Sequence, residues 1–127
     1  MSFITKSEPV LEYKDLEENS TLIIEKDKLS IKSNERFWLF PGRTRIIDTK
    51  LCLYIPYNSV GLITKNNHLN SNIQLDSQVI YSNNNFNCVY ISITNRGILP
   101  VKINYETKLA DLIILSKTEC HIVNSKG

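Results

Sequence analysis

Apolar and polar residues alternate with a period of two along most of the chain after residue 20. The clearest alternation covers residues 51–55, 89–94 and 101–105, where Leu, Ile or Val occupies most second positions. Successive side chains of a β-strand point to opposite faces, so this pattern predicts strands with one face for a core. The other face is left for solvent or a partner.

Shorter apolar runs predict further strands. They cover residues 21–25, 29–32, 36–40, 60–64, 79–81, 109–115 and 121–123. The run at 109–115 also fits helical spacing, but its continuous Leu-Ile-Ile-Leu favours a buried strand. Turn residues such as Pro41-Gly42 and the cluster Asn83-Asn84-Asn85 separate the runs. Many short strands at this spacing predict an all-β sandwich or barrel.

The front of the chain has a different pattern. Val10, Tyr13 and Leu16 lie roughly one helical turn apart, within a stretch that holds five of the 13 acidic residues. A short helix and an ordered arm both fit this spacing, and a solvated extension is the third alternative. We therefore divide the chain into an acidic arm or short helix at 1–20 and a single β domain at 21–127.

Length and composition narrow the class of protein. A chain of 127 residues with 42% apolar and 22% charged residues fits one globular domain. No apolar run approaches the roughly 20 residues that cross a bilayer, so no membrane span is expected. The first residues lack the apolar core of a signal peptide, which predicts an intracellular protein, cytoplasmic or nuclear, that is not secreted.

Charge and cysteine usage argue against two kinds of site. The net charge is +2 and the charges are interspersed, so nucleic acid is not an expected partner. The three cysteines, Cys52, Cys88 and Cys120, are widely spaced, which predicts buried reduced thiols. With only His68 and His121 beside them, no zinc site is expected.

No motif predicts catalysis on its own. The four glycines are isolated, which excludes a Gly-rich phosphate loop, and His68 is expected to be a solvated loop residue. The carboxylates outside the front segment stand apart in sequence and are expected at the surface or in turns: Asp48, Asp76, Glu106 and Asp111. We predict no catalytic residue, no cofactor and no metal.

Segments between residues 45 and 114 keep the order and spacing of one known family. A strand enters a proline turn at 46–56, and a second strand occupies 60–64. A third segment, 73–81, ends at Tyr81. The strand at 89–95 ends in Asn-x-Gly, and the last segment is 105–113. In this order they resemble the trimeric dUTPases. The resemblance covers a little over half of the chain. It implies a distorted β-sandwich or jelly-roll, usually a homotrimer with active sites shared between subunits.

The polar positions of the family motifs are altered. Lys65 and Asn66 stand where the family has Arg and Ser, and Lys108 and Asp111 stand where it has Arg and Gln. Asn95 keeps the Asn of Asn-x-Gly. Tyr81 replaces the Asp that the family associates with activating water, and a phenol with a pKa near about 10 is a poor base. These six residues are predicted to be vestiges of a nucleotide pocket.

Together these departures predict that hydrolysis has been lost, since triphosphate cleavage needs charge neutralisation, positioning and water activation at once. The leading hypothesis is a noncatalytic binding or interaction module on a dUTPase-like scaffold, a viral accessory protein that engages host proteins. One alternative is a trimeric structural component of a virion or other assembly. The other is a divergent enzyme that binds or hydrolyses nucleotides. The aromatic group at 37–40 is expected in core or trimer packing, with a partner contact as its alternative.

Overall fold

The computed structural model describes residues 10–16, 21–26, 28–116 and 124. These residues form strands and no helix, so the predicted all-β class is confirmed. In chain order the strands are β1 (Glu12–Asp15), β2 (Leu22–Glu25), β3 (Lys28–Lys32), β4 (Phe37–Leu39), β5 (Thr44–Tyr54), β6 (Ser59–Lys65), β7 (Ile73–Leu75), β8 (Gln78–Tyr81), β9 (Asn87–Asn95), β10 (Val101–Ile103) and β11 (Lys108–Ser116).

Two larger sheets and a ribbon make up the fold. The four-stranded sheet has the order β1-β5-β9-β7, the five-stranded sheet has the order β2-β3-β11-β6-β8, and β10 pairs with β4. All of these pairs are antiparallel. One apolar cluster combines side chains of both sheets, among them Ile91 of β9 and Ile63 of β6. The fold is therefore a β-sandwich around a single shared core.

Burial follows the alternation seen in the sequence. Along β9, Val89, Ile91 and Ile93 are completely buried while Tyr90 is exposed. The aromatic group at 37–40 divides in the same way, because Leu39 is buried and Trp38 and Phe40 are exposed. Each strand buries one face because only that face meets the opposite sheet.

The long strand β5 contains a bulge. The register with β9 shifts between Asp48 and Cys52, and Lys50 has a φ of 57°. Thr49 is fully buried at this point, and its hydroxyl donates to the Val89 carbonyl oxygen at 2.7 Å. The side-chain bond thus joins β5 to β9 where the backbone ladder is interrupted.

Several strand predictions are confirmed and others need correction. Residues 109–115 lie in β11, so the strand interpretation is right. Residues 12–15 form β1, paired with β5, so the short-helix alternative is wrong for them. Residues 1–9, 17–20 and 121–123 lie outside the described residues, and the boundary at residue 20 stays a prediction.

The cysteines differ from expectation at one position. Cys52 is buried as predicted, but Cys88 is exposed, because it lies on the outward face of β9. Both thiols are free, and Cys120 lies outside the described residues. Within the described part of the chain, no helix has the length and apolar character that a membrane crossing requires.

Candidate functional site

Asn66 and Asp111 meet where β6 ends beside β11. Asn66 is completely buried, and its Nδ2 donates to Asp111 Oδ1 at 2.7 Å. Its own Oδ1 accepts the backbone N–H of His68 at 2.8 Å, which holds the chain in a turn after β6. Both ends of the amide are therefore used within the chain.

The Asp111 carboxylate collects two more donors from β3. Ser30 lies directly opposite Asp111 in the β3–β11 ladder, and its hydroxyl donates to Oδ1 at 3.3 Å. The ammonium of Lys28 lies 3.4 Å from Oδ2. We call these four residues (Lys28, Ser30, Asn66 and Asp111) the Asp111 cluster. Asp111 is half-buried here, so its expected place at the surface or in a turn is wrong.

The two lysines at the altered motif positions have different surroundings. Lys108 forms an ion pair with Glu25, with 3.0 Å between Nζ and Oε1. Among the described residues, Lys65 approaches the Ser71 carbonyl oxygen, at 3.5 Å. A groove of about 520 Å³ opens beside Lys108, and its lining includes His68, Glu106 and Thr107. His68 is exposed, in agreement with its expected place in a solvated loop.

Tyr81 lies at the far end of the same sheet. It pairs with Val60 near the start of β6, whereas Lys65 at the end of β6 pairs with Ala110. Five residues of strand separate the two points, which is roughly 16 Å. Tyr81 is 63% exposed and lines a groove of about 320 Å³ with Asn83 and Asn87. A single chain therefore does not bring Tyr81 to the Asp111 cluster.

The loop after Tyr81 is held by its own asparagines. Asn83 Oδ1 accepts the backbone N–H of Asn85 at 3.2 Å and Nδ2 of Asn87 at 3.2 Å. Asn84 has a φ of 60°, in the left-handed region that asparagine tolerates better than most residues. The abundance of asparagine in this segment thus has a local structural cause.

Asn95 stabilises a turn in another part of the molecule. It is completely buried, and its Nδ2 donates to the carbonyl oxygens of Leu39 at 2.9 Å and Leu99 at 2.8 Å. Its Oδ1 accepts the Gly97 N–H at 2.8 Å. Both ends of this amide are used within the turn that leads from β9 to β10 and against β4.

Three partners in this region were missed in the sequence: Glu25, Lys28 and Ser30. Lys28 and Ser30 lie on β3, which pairs with β11 about 80 residues further along the chain, and Glu25 lies on β2, which pairs with β3. Ser30 lies on the face of β3 opposite the core residue Ile31, where a polar residue is ordinary and gives no signal of a partner. Among the described residues, no group of three or more His, Cys, Asp or Glu side chains could hold a metal ion.

The remaining carboxylates of the sequence survey have different surroundings, and among them Glu106 lines the groove beside Lys108. Asp76 and Glu106 are exposed, as expected. Asp48 is half-buried in the β5 bulge, where a hydrogen bond from the Lys50 backbone N–H holds the pKa of Asp48 below its ordinary value. It therefore supports the bulge.

Of the comparisons with known proteins, only the one with solved structures finds similar proteins. No protein-family model matches the chain, and no curated protein sequence matches it. A mutant dUTPase from phage phi11 of S. aureus superposes with a TM-score of 0.75 at 21% identity, covering 93% of this chain and 97% of that one. A mutant dUTPase of Staphylococcus bacteriophage 80alpha with dUpNHpp gives 0.76 at 17% identity, with the same coverage.

These matches extend over almost the whole chain and show its fold. The chain has the dUTPase-like β fold, which confirms the fold that the sequence resemblance implied. At identities of 17–21% the matches carry the fold alone. Function is argued from the residues of the chain itself.

Proposed function

We propose that this chain is a noncatalytic protein on a dUTPase-like scaffold and acts as an interaction module. The observation that carries the proposal is that two of the motif positions, Lys108 and Asp111, already have charged partners within the chain. Lys108 is paired with Glu25, and Asp111 is bonded to donors from three other residues. A nucleoside triphosphate would have to displace Glu25 and approach the Asp111 carboxylate, and both steps oppose its binding.

Tyr81 gives a second line of support. The resemblance places it where the family carries a water-activating Asp, and here an exposed phenol occupies the position. A phenol is protonated at neutral pH and is a poor acceptor for a proton from water. With no base at this position and with Lys108 already paired to Glu25, the site lacks water activation and part of the charge neutralisation that phosphate chemistry needs.

A regulatory role is compatible with what is described for similar phage proteins. Phage dUTPases such as that of phage 80alpha are described as controlling transfer of virulence genes by a proto-oncogenic G protein-like mechanism. We propose a comparable use of the scaffold in this chain, with a host or viral protein as the partner.

We also propose that the chain assembles as a homotrimer, as the resemblance implies. An apolar patch supports association: Trp38 and Phe40 are 56% exposed, Ile98 90% and Leu99 70%. These residues lie together because Asn95 binds the carbonyl oxygens of both Leu39 and Leu99. Contiguous exposed apolar side chains are typical of protein contact surfaces.

Nucleotide turnover tests the noncatalytic proposal. Purified protein is incubated with Mg²⁺ and a panel of nucleoside triphosphates that includes dUTP, while pyrophosphate release and calorimetric binding are measured. We expect neither turnover nor binding. Robust pyrophosphate release would overturn the proposal, and binding without release would make the chain a nucleotide sensor instead of a protein-interaction module.

A charge variant makes the same test sharper. Glu25→Gln removes the carboxylate that neutralises Lys108 and keeps a side chain of the same size. If Glu25 opposes phosphate, this variant binds inorganic tripolyphosphate more tightly than the wild type does. Glu12→Gln, on the exposed strand β1, is the matched control and should leave binding unchanged.

A further inference from the structure

Cys52 and Cys88 lie directly opposite each other in the four-stranded sheet. The β5–β9 register resumes after the bulge with Cys52 paired to Cys88 and Leu53 paired to Asn87. Side chains of directly opposite residues in an antiparallel pair project from the same face of the sheet. The two thiols are therefore neighbours although 36 positions separate them in sequence.

The spacing suits a covalent bond without movement of the backbone. Directly opposite residues of an antiparallel ladder have Cα atoms about 4.5 or about 5.5 Å apart, depending on the hydrogen-bonding class of the pair. Disulfides are found at Cα separations of about 4.4–6.8 Å, so either class is suitable. The two side chains are close enough for Cys88 to contribute to the raised pKa of Cys52.

The two sulfurs differ in access. Cys88 is exposed, whereas Cys52 is buried and only 5% exposed. Burial, followed by the effect of the neighbouring Cys88 thiol, raises the pKa of Cys52 to about 11. Cys52 is therefore a thiol at neutral pH, and an oxidant in solution reaches Cys88 first.

We propose that Cys52 and Cys88 form a site of reversible oxidation, which a peroxide converts to an intrachain disulfide between β5 and β9. The Cys88 thiol first reacts with hydrogen peroxide to give a sulfenic acid and water. The Cys52 sulfur then attacks the Cys88 sulfur, and the hydroxyl leaves as a second water. The two thiols lose two electrons and two protons in total, and the peroxide oxygen–oxygen bond is reduced. A small dithiol reverses the reaction by thiol–disulfide exchange.

The disulfide would restrain one end of the sandwich. Phe86 lies at that end, with its ring centroid 5.5 Å from that of Tyr54 and the Lys14 ammonium 4.1 Å from its own centroid. Lys14 itself is opposite Cys52 in the β1–β5 ladder, so β1, β5 and the loop before β9 meet beside the two sulfurs. Oxidation would therefore fix β9, and with it the end of the asparagine-rich loop before β9, to strand β5. The proposal requires neither a nucleotide nor a trimer.

The test uses the full chain with Cys120→Ser, so that only the two described cysteines can react. The folded protein is treated with hydrogen peroxide, alkylated, and measured by intact mass and peptide mapping. We expect the mass of two hydrogen atoms to be lost, both cysteines to resist alkylation, and one linked peptide to contain both. The melting temperature should rise by roughly 10 °C, because the bond closes a long loop in the unfolded chain. Dithiothreitol should reverse all of these changes.

Single variants check the order of the two steps. With Cys52→Ser, the Cys88 sulfenic acid should persist and react with dimedone. With Cys88→Ser, Cys52 should remain reduced under the same treatment. Disulfide formation should also be faster at higher pH below the pKa of Cys52, because more Cys52 thiolate is then present. The proposal is overturned if Cys52 stays alkylatable while Cys88 proceeds to sulfinic acid, or if the linked peptides come from two different chains.

Discussion

The buried amide of Asn66 and the carboxylate of Asp111 depend on each other for hydrogen bonding. Asn66→Ala removes the 2.7 Å donor and leaves Asp111 to Ser30 and Lys28. We expect the free energy of unfolding to fall by about 1–3 kcal/mol, because the Asp111 carboxylate loses its shortest hydrogen bond and the His68 N–H loses its acceptor. Urea unfolding measures this, with Asn67→Ala at the neighbouring exposed position as control. Similar losses in the two variants would contradict the role given to Asn66.

A second residue, Asp48, makes the stability of the bulge depend on pH. Its carboxylate accepts the Lys50 backbone N–H at 3.0 Å, and this bond is the main cause that keeps the pKa of Asp48 below 3.8, against the opposing effect of burial. A carboxyl group with a lowered pKa in the folded state adds stability that is present above its unfolded-state pKa. That stability is lost as the pH falls through the folded-state pKa.

Two variants at Asp48 separate the charge from the hydrogen bond. Asp48→Asn keeps an acceptor oxygen but no charge, so we expect it to be less stable than the wild type at neutral pH and equally stable in strong acid. Asp48→Ala also loses the acceptor and should remain less stable at both. The free energies of unfolding of the three proteins are measured by urea unfolding at both pH values. A deficit for Asp48→Asn that does not change with pH would show that its charge contributes nothing.

At the scale of the elements, a glycine of β6, Gly61, lets this strand pack closely against β11 and against the turn that precedes β6. A Cβ on Gly61 would lie 2.9 Å from Ile55 Cδ1 and 3.6 Å from Leu112 Cδ1. Gly61→Ala should therefore destabilise the fold by about 1–3 kcal/mol through overpacking. Ile55→Val removes the crowded Cδ1 and by itself costs about 0.5–1.5 kcal/mol.

The double variant gives the sharper result. Gly61→Ala with Ile55→Val should lose less stability than the sum of the two single losses, because the valine leaves room for the new methyl group. Thermal and urea unfolding of the four proteins complete the cycle. Additive losses would mean that the two side chains do not compete for the same space.

The sequence predicted the strands that have alternation or a short apolar run, and it missed β7 and left β1 undecided. β9 has nine residues with a regular burial pattern, whereas β7 has three, too few for a period to be recognised. β1 was ambiguous because its exposed side chains carry little strand signal, and its pairing with β5 decides its structure. The β3–β11 pairing, which brings Ser30 to Asp111, could not be predicted because no local pattern specifies a partner so distant in sequence.

For the whole molecule, the spatial grouping of the six predicted pocket residues was harder to predict than the fold. Lys65, Asn66, Lys108 and Asp111 lie near one end of the β6–β11 pair, in line with their places at the ends of adjoining strands. Tyr81 lies at the other end of β6, and Asn95 is buried in a separate turn. The order of residues in the sequence does not say at which end of the sheet each of them lies. A shared pocket would therefore need a second copy of the chain.

Assembly can be tested through the concentration dependence of stability. Association that involves only the folded state raises the melting temperature as protein concentration increases. If Trp38 and Phe40 lie in a trimer contact, the wild type should show this rise and a trimeric mass by light scattering. Trp38→Lys with Phe40→Lys should give a monomer whose melting temperature is constant. Tyr57→Lys, at an 82% exposed position in the turn between β5 and β6, should behave as the wild type. A wild-type monomer with a constant melting temperature would contradict the trimer and leave the patch free for a different protein.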